Sequence, residues 1–306
     1  MTAREKYGFK LYHASSLQIK GVDSLPVSYL LTYTGGGATN MEFIETHPTK
    51  GVCMDSGAFP AWKQNKDLDV GKYIQFAKAH QDSLDWFATM DYIPRQSGGK
   101  TEDLQRYAAD ETWARYKAMH EAPEGLDVSK LAFIVHGASD IEPNLVRALS
   151  WRSAKTGRGV EMLALGLAFP DSAMRIRQLK IAERVIKEFN FTGKFHALGV
   201  QDRDIYRNFP FITSADSSSS IRLAISGGVQ IDGEEYKVLD DEKLSHKSKV
   251  TPKMRELQKQ FLKERCKLCG RDWEKASRQD GYVERWIWGC LERDKYFIPK
   301  ECRKIT

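Results

Sequence analysis

With 306 residues, the chain is longer than a typical small domain, which favours one large α/β barrel, alone or with an appendage, over a peptide hormone or a lone binding module. Hydrophobic residues make up 41% and charged residues 29%, a balance that supports a packed core and excludes disordered and fibrous classes. No stretch approaches the roughly 18 apolar residues of a membrane span, and the start MTAREKYGFK lacks the apolar run of a secretion signal, so we expect a cytoplasmic protein.

Eight short apolar, β-branched or aromatic runs predict β-strands. In chain order they cover residues 9–15, 28–34, 51–57, 86–92, 131–137, 162–168, 195–200 and 211–217. Helical periodicity between the later runs predicts helices at residues 70–82, 101–121, 141–154 and 172–189. Alternating strands and helices imply parallel strands joined by crossovers. Eight such units predict a (β/α)8 TIM barrel, with a doubly wound open sheet as the alternative.

The pattern changes after residue 220. Residues 221–239 contain a glycine pair and the turn-like stretch IDGEEYKVL, which predict a short hairpin. Residues 251–264 have the charged amphipathic pattern of a helix. A boundary near residue 240 therefore divides a predicted barrel domain, residues 1–240, from a small C-terminal appendage, residues 241–306.

The net charge of +6 is concentrated in this appendage. Residues 241–306 hold 18 Lys/Arg and 11 Asp/Glu, whereas residues 1–240 hold 29 and 30. A basic appendage on a near-neutral body indicates a polyanionic partner, most simply nucleic acid, and the alternative is a solvated lysine-rich helix face. The candidate phosphate contacts are Lys247, Lys249, Lys253, Arg271 and Arg278.

Five cysteines in an intracellular chain argue against a disulfide framework. Cys53 lies alone in an apolar run and is predicted to be a small core residue. The other four form a C-x2-C pair followed, after twenty and then eleven residues, by two single cysteines. This arrangement predicts a tetrahedral structural zinc site, with four reduced thiols, or His246 in place of one cysteine, as alternatives. The predicted ligands are Cys266, Cys269, Cys290 and Cys302.

Four polar residues end apolar runs of the predicted barrel: Asp55, Asp91, His136 and Asp216. The carboxyl ends of parallel strands meet at one face, where a barrel of this kind gathers its reactive groups. A single Asp after a strand is commonly a helix cap or a turn residue. Four such residues at the same edge favour a functional site.

The strand ends, taken in order, form a series of short motifs: DSGAF (55–59), MDYIP (90–94), IVHGAS (134–139), LGLAF (165–169), HALGV (196–200) and ADSSSS (215–220). This series resembles the tRNA-guanine transglycosylase superfamily, and most closely its phage and bacterial DNA branch, the DpdA type, which inserts 7-deazaguanine bases into DNA. The resemblance covers roughly residues 50–220. It implies a glycosyltransferase that exchanges guanine in DNA. The alternatives are a divergent tRNA enzyme, a catalytically silent nucleic-acid-binding barrel, and a hydrolytic glycosylase.

The resemblance implies that Asp216 is the nucleophile that attacks C1′ and displaces guanine, and that Asp55 is the general acid and base. Independently, two carboxyl groups flanking an anomeric carbon are the usual arrangement for retaining glycosyl transfer. Asp91 matches the position that accepts hydrogen bonds from the purine. The further base-binding candidates are His136, Gly137, Gly166, Leu167, Ala168 and Phe59. The residues expected to orient Asp216 or to contact the sugar phosphate are His196, Ser217 and Ser218.

Several departures from the tRNA enzymes bear on the substrate. Those enzymes commonly have DSGGF, a Gln-Gly pair, a glutamate soon after the GLA turn and a Pro-Thr-Arg segment. This chain has instead DSGAF, His136-Gly137, Phe169-Pro170 and the serine run 217–220, and the family zinc motif of three close cysteines and a histidine is not reproduced. Loss of the glutamate removes a partner for a cationic aminomethyl group, so the expected incoming base is the neutral nitrile preQ0. A DNA target would have to be single-stranded or flipped out.

Overall fold

The computed structural model describes residues 8–14, 28–35, 41, 51–94, 101–122, 125–136, 141–167, 172–200, 205, 208–217, 228–231 and 234–237. The predicted appendage, residues 241–306, lies outside them.

Eight parallel strands, hydrogen-bonded in chain order, form a closed barrel. They are β1 (Lys10–Ala14), β2 (Ser28–Thr32), β3 (Gly51–Asp55), β4 (Trp86–Ala88), β5 (Leu131–Val135), β6 (Met162–Gly166), β7 (Lys194–Leu198) and β8 (Ser214–Ser217). The ring closes where β8 pairs with β1, with Asp216 opposite Tyr12. The prediction of an α/β barrel is confirmed. The doubly wound alternative is wrong, because an open sheet would leave two edge strands unpaired.

Five helices lie in the crossovers of the described part of the chain. After β3 come α1 (Ala58–Lys63) and α2 (Val70–His80), and the next three crossovers contain α3 (Thr101–His120), α4 (Ile141–Ser150) and α5 (Ser172–Glu188). Helices α2 to α5 begin at the predicted residues, and the Asp69 carboxylate caps α2 by accepting from the Lys72 N–H. Helix α4 ends four residues before its predicted end. None of these helices is long and apolar enough to cross a membrane.

Two further strands lie beyond the barrel. β9 (Gly228–Ile231) and β10 (Glu234–Lys237) pair antiparallel, with Glu234 opposite Ile231. The hairpin predicted within residues 221–239 is therefore confirmed.

Alternate residues of each barrel strand enter two different cores, because successive side chains of a strand point to opposite faces. In β3, Val52 and Met54 belong to the large core between the barrel and its helices, whereas Cys53 belongs to the barrel interior. Cys53 is fully buried, which confirms its predicted role as a core residue. The same alternation turns Asp55 inward, one position beyond Met54.

The barrel interior differs between its two ends. At the amino end, the Asp85 carboxylate binds the Lys10 ammonium at 2.9 Å and accepts from the Tyr12 hydroxyl at 2.8 Å. Trp86 packs edge-on against Tyr12. At the carboxyl end, the inward positions that close β4 and β6 are Ala88 and Gly166. Bulky groups thus fill the amino end, whereas the inward residues that end β4 and β6 at the carboxyl end are small.

Candidate active site

Asp216 is a buried carboxylate inside the barrel, held by β7. The outward side chain of Ala215 in the outer core places its neighbour Asp216 on the inward face of β8. His196 Nε2 lies 3.1 Å from Asp216 Oδ1, and the Gly199 N–H donates to the same oxygen at 2.9 Å. Within the described residues both hydrogen bonds fall on Oδ1, which leaves Oδ2 available to a reacting carbon.

His196 is itself fixed at both ring nitrogens. Its Nδ1 lies 2.9 Å from the Ser214 hydroxyl, and its ring packs 4.6 Å from the Trp86 ring. Because a carboxylate only accepts hydrogen bonds, we assign the ring proton to Nε2, with Nδ1 accepting from Ser214. His196 thus contacts Asp216 directly.

Asp55, the last residue of β3, lies in the electrostatic field of two other carboxylates. Burial, the negative charge of Asp91 and then that of Asp216 raise the pKa of Asp55 to about 7, against the opposing effect of the Gly57 N–H, which donates to Oδ2 at 3.3 Å. Burial and like charges both disfavour an ionised carboxyl group. Asp55 therefore shares its surroundings with Asp216, although 161 positions separate the two residues along the sequence.

Asp91 lies three residues beyond the end of β4 and contacts the turn after β3. The buried Ser56 hydroxyl donates to Asp91 Oδ1 at 2.5 Å and accepts from the Ala58 N–H at 3.2 Å. The Arg115 guanidinium donates to the Asp91 backbone carbonyl at 3.2 Å. Sequence reasoning missed the role of Ser56, although it lies inside the DSGAF motif beside Asp55.

His136 follows β5 directly and contacts helix α3. Its Nε2 lies 2.9 Å from the Thr112 hydroxyl oxygen, which also accepts from the Tyr92 N–H at 2.9 Å. Burial lowers the pKa of His136, and the charge of Asp91 only partly opposes this, so the ring is neutral at pH 7. A neutral imidazole offers one donor and one acceptor. No sequence signal pointed to Thr112, which lies in the middle of a helix.

Helix α1 begins three residues after Asp55 and presents an aromatic surface. Phe59 is 52% exposed and stacks on Trp62 with ring centroids 5.9 Å apart. The Lys63 ammonium lies 4.4 Å from the Phe59 ring centroid. The Trp62 indole N–H donates to the Pro94 carbonyl at 3.1 Å, which ties α1 to the loop after β4. This surface can stack on a planar ring.

The remaining predicted site residues are placed only in part. Gly166 ends β6, the Leu167 N–H donates to the Leu198 carbonyl at 3.1 Å, and Ser217 ends β8 opposite His13. The predictions that lie outside the described residues concern Gly137, Ala168, Ser218, Lys247, Lys249, Lys253, Cys266, Cys269, Arg271, Arg278, Cys290 and Cys302. In the part that the structure describes, no three His, Cys, Asp or Glu side chains form a group suited to a metal ion.

The fold and the site define an α/β barrel with a cluster of three carboxyl groups and two histidines at the carboxyl ends of its strands. No protein-family model matches the chain, and no curated protein sequence matches it. Chemically, the cluster offers an acceptor oxygen on Asp216 and an exchangeable proton on Asp55. It also offers a surface of hydrogen-bonding groups on Asp91 and His136.

Replacing Asp55 tests its raised pKa. The folded state holds the Asp55 proton more tightly than the unfolded state, so this stabilisation is complete below about pH 4 and is lost as the pH rises through about 7. Asp55→Asn, which stays neutral, should raise the free energy of unfolding by about 4 kcal/mol at pH 8 and leave it almost unchanged near pH 4. Urea unfolding at the two pH values measures this. An equal change in the free energy of unfolding at both pH values would contradict the raised pKa of Asp55.

Gly57, in the turn that follows Asp55, is a position that requires glycine. Its φ of 77° is left-handed, and an added Cβ would overlap the Thr34 hydroxyl, which donates to the Gly57 carbonyl at 3.2 Å. Gly57→Ala should therefore destabilise the fold by about 3 kcal/mol. The matched control is Gly157→Ala, where φ is 68° but nothing lies within 4 Å. Gly157→Ala should lower the free energy of unfolding by only the cost of placing alanine in the left-handed conformation, about 1 kcal/mol. Equal losses in urea unfolding would refute the steric argument.

Proposed function

We propose that this chain is a DNA-guanine transglycosylase, which exchanges guanine in DNA for a 7-deazaguanine base through a covalent glycosyl intermediate on Asp216. The observation that carries the proposal is the pairing of two differently held carboxyl groups. Asp216 accepts two hydrogen bonds on one oxygen, and its charge helps to raise the pKa of Asp55 to about 7. A group with such a pKa can both give and take a proton near neutral pH.

In the first half-reaction, Asp216 Oδ2 attacks C1′ of the target deoxyguanosine, and the bond from C1′ to N9 breaks. The electron pair of that bond goes to the leaving guanine, which receives its proton from the protonated Asp55. The His196 N–H and the Gly199 N–H hold Oδ1, so the opposite oxygen faces the reacting carbon. The products are neutral guanine, an ester between Asp216 and the sugar, and ionised Asp55.

In the second half-reaction, the incoming base replaces guanine on the same face of the sugar. Ionised Asp55 takes the N9 proton of the base, and N9 attacks C1′ while the ester bond to Asp216 breaks. Two successive displacements return the original configuration at C1′. Asp55 ends protonated and Asp216 ionised, so each is ready for a further cycle.

Base recognition falls to the residues that surround Asp55. With Oδ1 of Asp91 bound by the Ser56 hydroxyl, the carboxylate keeps acceptor capacity for the amino and ring N–H groups of a purine. The neutral His136 and the backbone of Gly166, Leu167 and Ala168 read the other edge. Phe59 stacks on the ring face, which its exposure of 52% supports.

The proposal extends to the parts of the chain beyond the described residues. It includes a complete (β/α)8 TIM barrel in residues 1–240 and a basic C-terminal subdomain in residues 241–306 that binds DNA phosphates. It also includes structural zinc held by Cys266, Cys269, Cys290 and Cys302. Thiolate sulfurs are the ligands that such a site uses, and the C-x2-C pair at the start of the set presents two of them to one ion.

Base exchange with Asp216 variants tests the reaction. The full chain is incubated with labelled preQ0 and either single-stranded DNA, duplex DNA or tRNA, and label in the nucleic acid is measured. We expect incorporation into DNA, and Asp216→Ala should lower it about 10⁴-fold while DNA binding persists. Asp110→Asn is the matched control, because Asp110 pairs with Arg147 on the outer helices. Incorporation into tRNA alone would favour a tRNA-guanine transglycosylase. Release of free guanine without incorporation would favour a hydrolytic glycosylase, and nucleic-acid binding without exchange would favour a catalytically silent barrel.

The identity of the incoming base is tested by competition. Equal concentrations of preQ0 and its aminomethyl counterpart are supplied with DNA, and the products are separated by mass spectrometry of the nucleosides. Without an acidic partner for the ammonium group, preQ0 should be incorporated about tenfold faster, a difference of about 1.4 kcal/mol. Preference for the aminomethyl base would contradict the assignment of the neutral nitrile while leaving the exchange reaction intact.

A further inference from the structure

One face of helix α3 holds the loop that follows β4. The Arg115 guanidinium donates to the Asp91 carbonyl at 3.2 Å and lies 5.0 Å from the centre of the Tyr92 ring. The Tyr92 N–H donates to the Thr112 hydroxyl oxygen at 2.9 Å. Thr112 and Arg115 are three residues apart and therefore lie on the same face of the helix. This face fixes the backbone that carries the Asp91 carboxylate.

Thr112 on the same face also contacts the end of β5. Its hydroxyl oxygen lies 2.9 Å from Nε2 of His136, the residue that follows β5. Thr112 thus links the loop of Asp91 to His136, although the two come from neighbouring strands of the barrel. The charge of Asp91 acts on the His136 ring, so the two side chains share one electrostatic environment. A change at Thr112 therefore affects both residues to which base recognition is assigned.

The Thr112 side chain is fully buried, so its hydroxyl proton requires an acceptor within the protein. Within the part of the chain that the structure describes, the hydroxyl has two hydrogen-bond partners, the Tyr92 N–H and His136 Nε2. An N–H group only donates, so Nε2 is the acceptor for the hydroxyl proton. A proton on Nε2 instead would leave the hydroxyl proton buried without a partner, which is unfavourable.

The direction of this hydrogen bond sets the tautomer of His136. Burial lowers the pKa of His136, so the ring is neutral at pH 7 and carries one proton. Because Nε2 accepts from Thr112, we assign that proton to Nδ1. None of the described residues forms a hydrogen bond with Nδ1, and the residue is only partly buried. The ring thus has a free N–H donor for a ligand.

We propose that Thr112 is a positioning residue that sets base specificity, because it holds His136 in the tautomer whose Nδ1–H donates to the oxygen at position 6 of the bound base. This inference rests on the proposed function. Guanine and 7-deazaguanine bases carry a carbonyl oxygen at that position, whereas a 6-aminopurine carries an N–H donor. Two donors facing each other in a buried site are left unpaired, which disfavours the amino base. Asp91 accepts from the N–H groups of the same base, so the two residues read opposite kinds of group.

Nitrogen-15 NMR of the full chain, with no base present, tests the tautomer. Long-range proton–nitrogen spectra distinguish protonated from unprotonated ring nitrogens, and the His136 signals are those that disappear in His136→Gln. We expect the proton on Nδ1 in the wild type and in Thr112→Ser, which keeps the hydroxyl. In Thr112→Val the proton should be distributed between the two nitrogens. A wild-type ring that carries its proton on Nε2 overturns the proposal.

Equilibrium binding of free bases tests the specificity without any chemistry. Isothermal titration calorimetry compares preQ0 with the related base in which an amino group replaces the oxygen at position 6. The wild type should prefer preQ0, and Thr112→Val should reduce this preference about tenfold, the effect of one hydrogen bond. Some preference should remain, because Asp91 still favours the base with a ring N–H. Thr112→Ser should bind the two bases as the wild type does.

The matched control is Thr89→Val, which removes another fully buried threonine hydroxyl. The Thr89 hydroxyl donates to the Ala132 carbonyl at 2.7 Å and has no contact with His136. This variant should keep the wild-type preference and the wild-type tautomer. Thermal unfolding followed by circular dichroism establishes that each variant is folded. If Thr89→Val loses the preference as Thr112→Val does, the specific role of Thr112 is overturned.

The binding and exchange measurements separate this inference from the proposed function. If exchange is absent with every nucleic acid, but Thr112→Val alone loses the preference for preQ0, the role of Thr112 stands and the proposed function fails. If exchange proceeds and Thr112→Val keeps the preference, the proposed function stands and the role of Thr112 is overturned. A wild type that binds the two bases equally, or binds neither, also overturns it.

Discussion

The repulsion that Asp91 and Asp216 exert on the buried carboxyl group of Asp55 is the constraint on which the site depends. Asp55 ends β3, Asp216 lies in β8 and Asp91 follows β4, and burial strengthens the repulsion that Asp55 experiences. Local hydrogen-bond donors stabilise the three carboxyl groups. Two N–H groups lie against Asp216, a hydroxyl donates to Asp91, and the Gly57 N–H donates to Asp55. The ring of backbone hydrogen bonds holds these groups together in spite of their charge.

Different surroundings give chemically identical side chains different hydrogen bonding and different electrostatic environments. Asp216 faces a histidine whose other nitrogen is fixed by Ser214, so its geometry is set from two sides. Asp55 is buried beside two negative carboxylates, which favour its protonated form, and the N–H groups of Gly57 and Ser56 only partly oppose this effect. The proposed division between nucleophile and proton carrier therefore follows from hydrogen bonding and burial, and it requires no difference in residue type.

Sequence reasoning located all eight barrel strands and the starts of α2 to α5, because apolar runs and helical periodicity report directly on burial. It could not find α1, which has six residues and contains Pro60, too short a segment to show periodicity. It also missed the contacts of Ser56 with Asp91 and of Thr112 with His136. These join residues 35 and 24 positions apart and depend on how neighbouring loops and helices pack. The zinc ligands and the basic contacts of residues 241–306 stay predictions.

The barrel is plugged at its amino end by Lys10, Asp85 and Tyr12, with Trp86 packed against Tyr12. This closed amino end leaves the carboxyl end as the entrance to the site in the proposed exchange reaction. In the proposed exchange, guanine could not leave through the amino end of the barrel and would have to leave through the carboxyl end, where the replacement base enters. The two bases would then pass through this opening one after the other, with the sugar bound to Asp216 in the interval. A single opening would thus require guanine to leave the barrel before the replacement base binds.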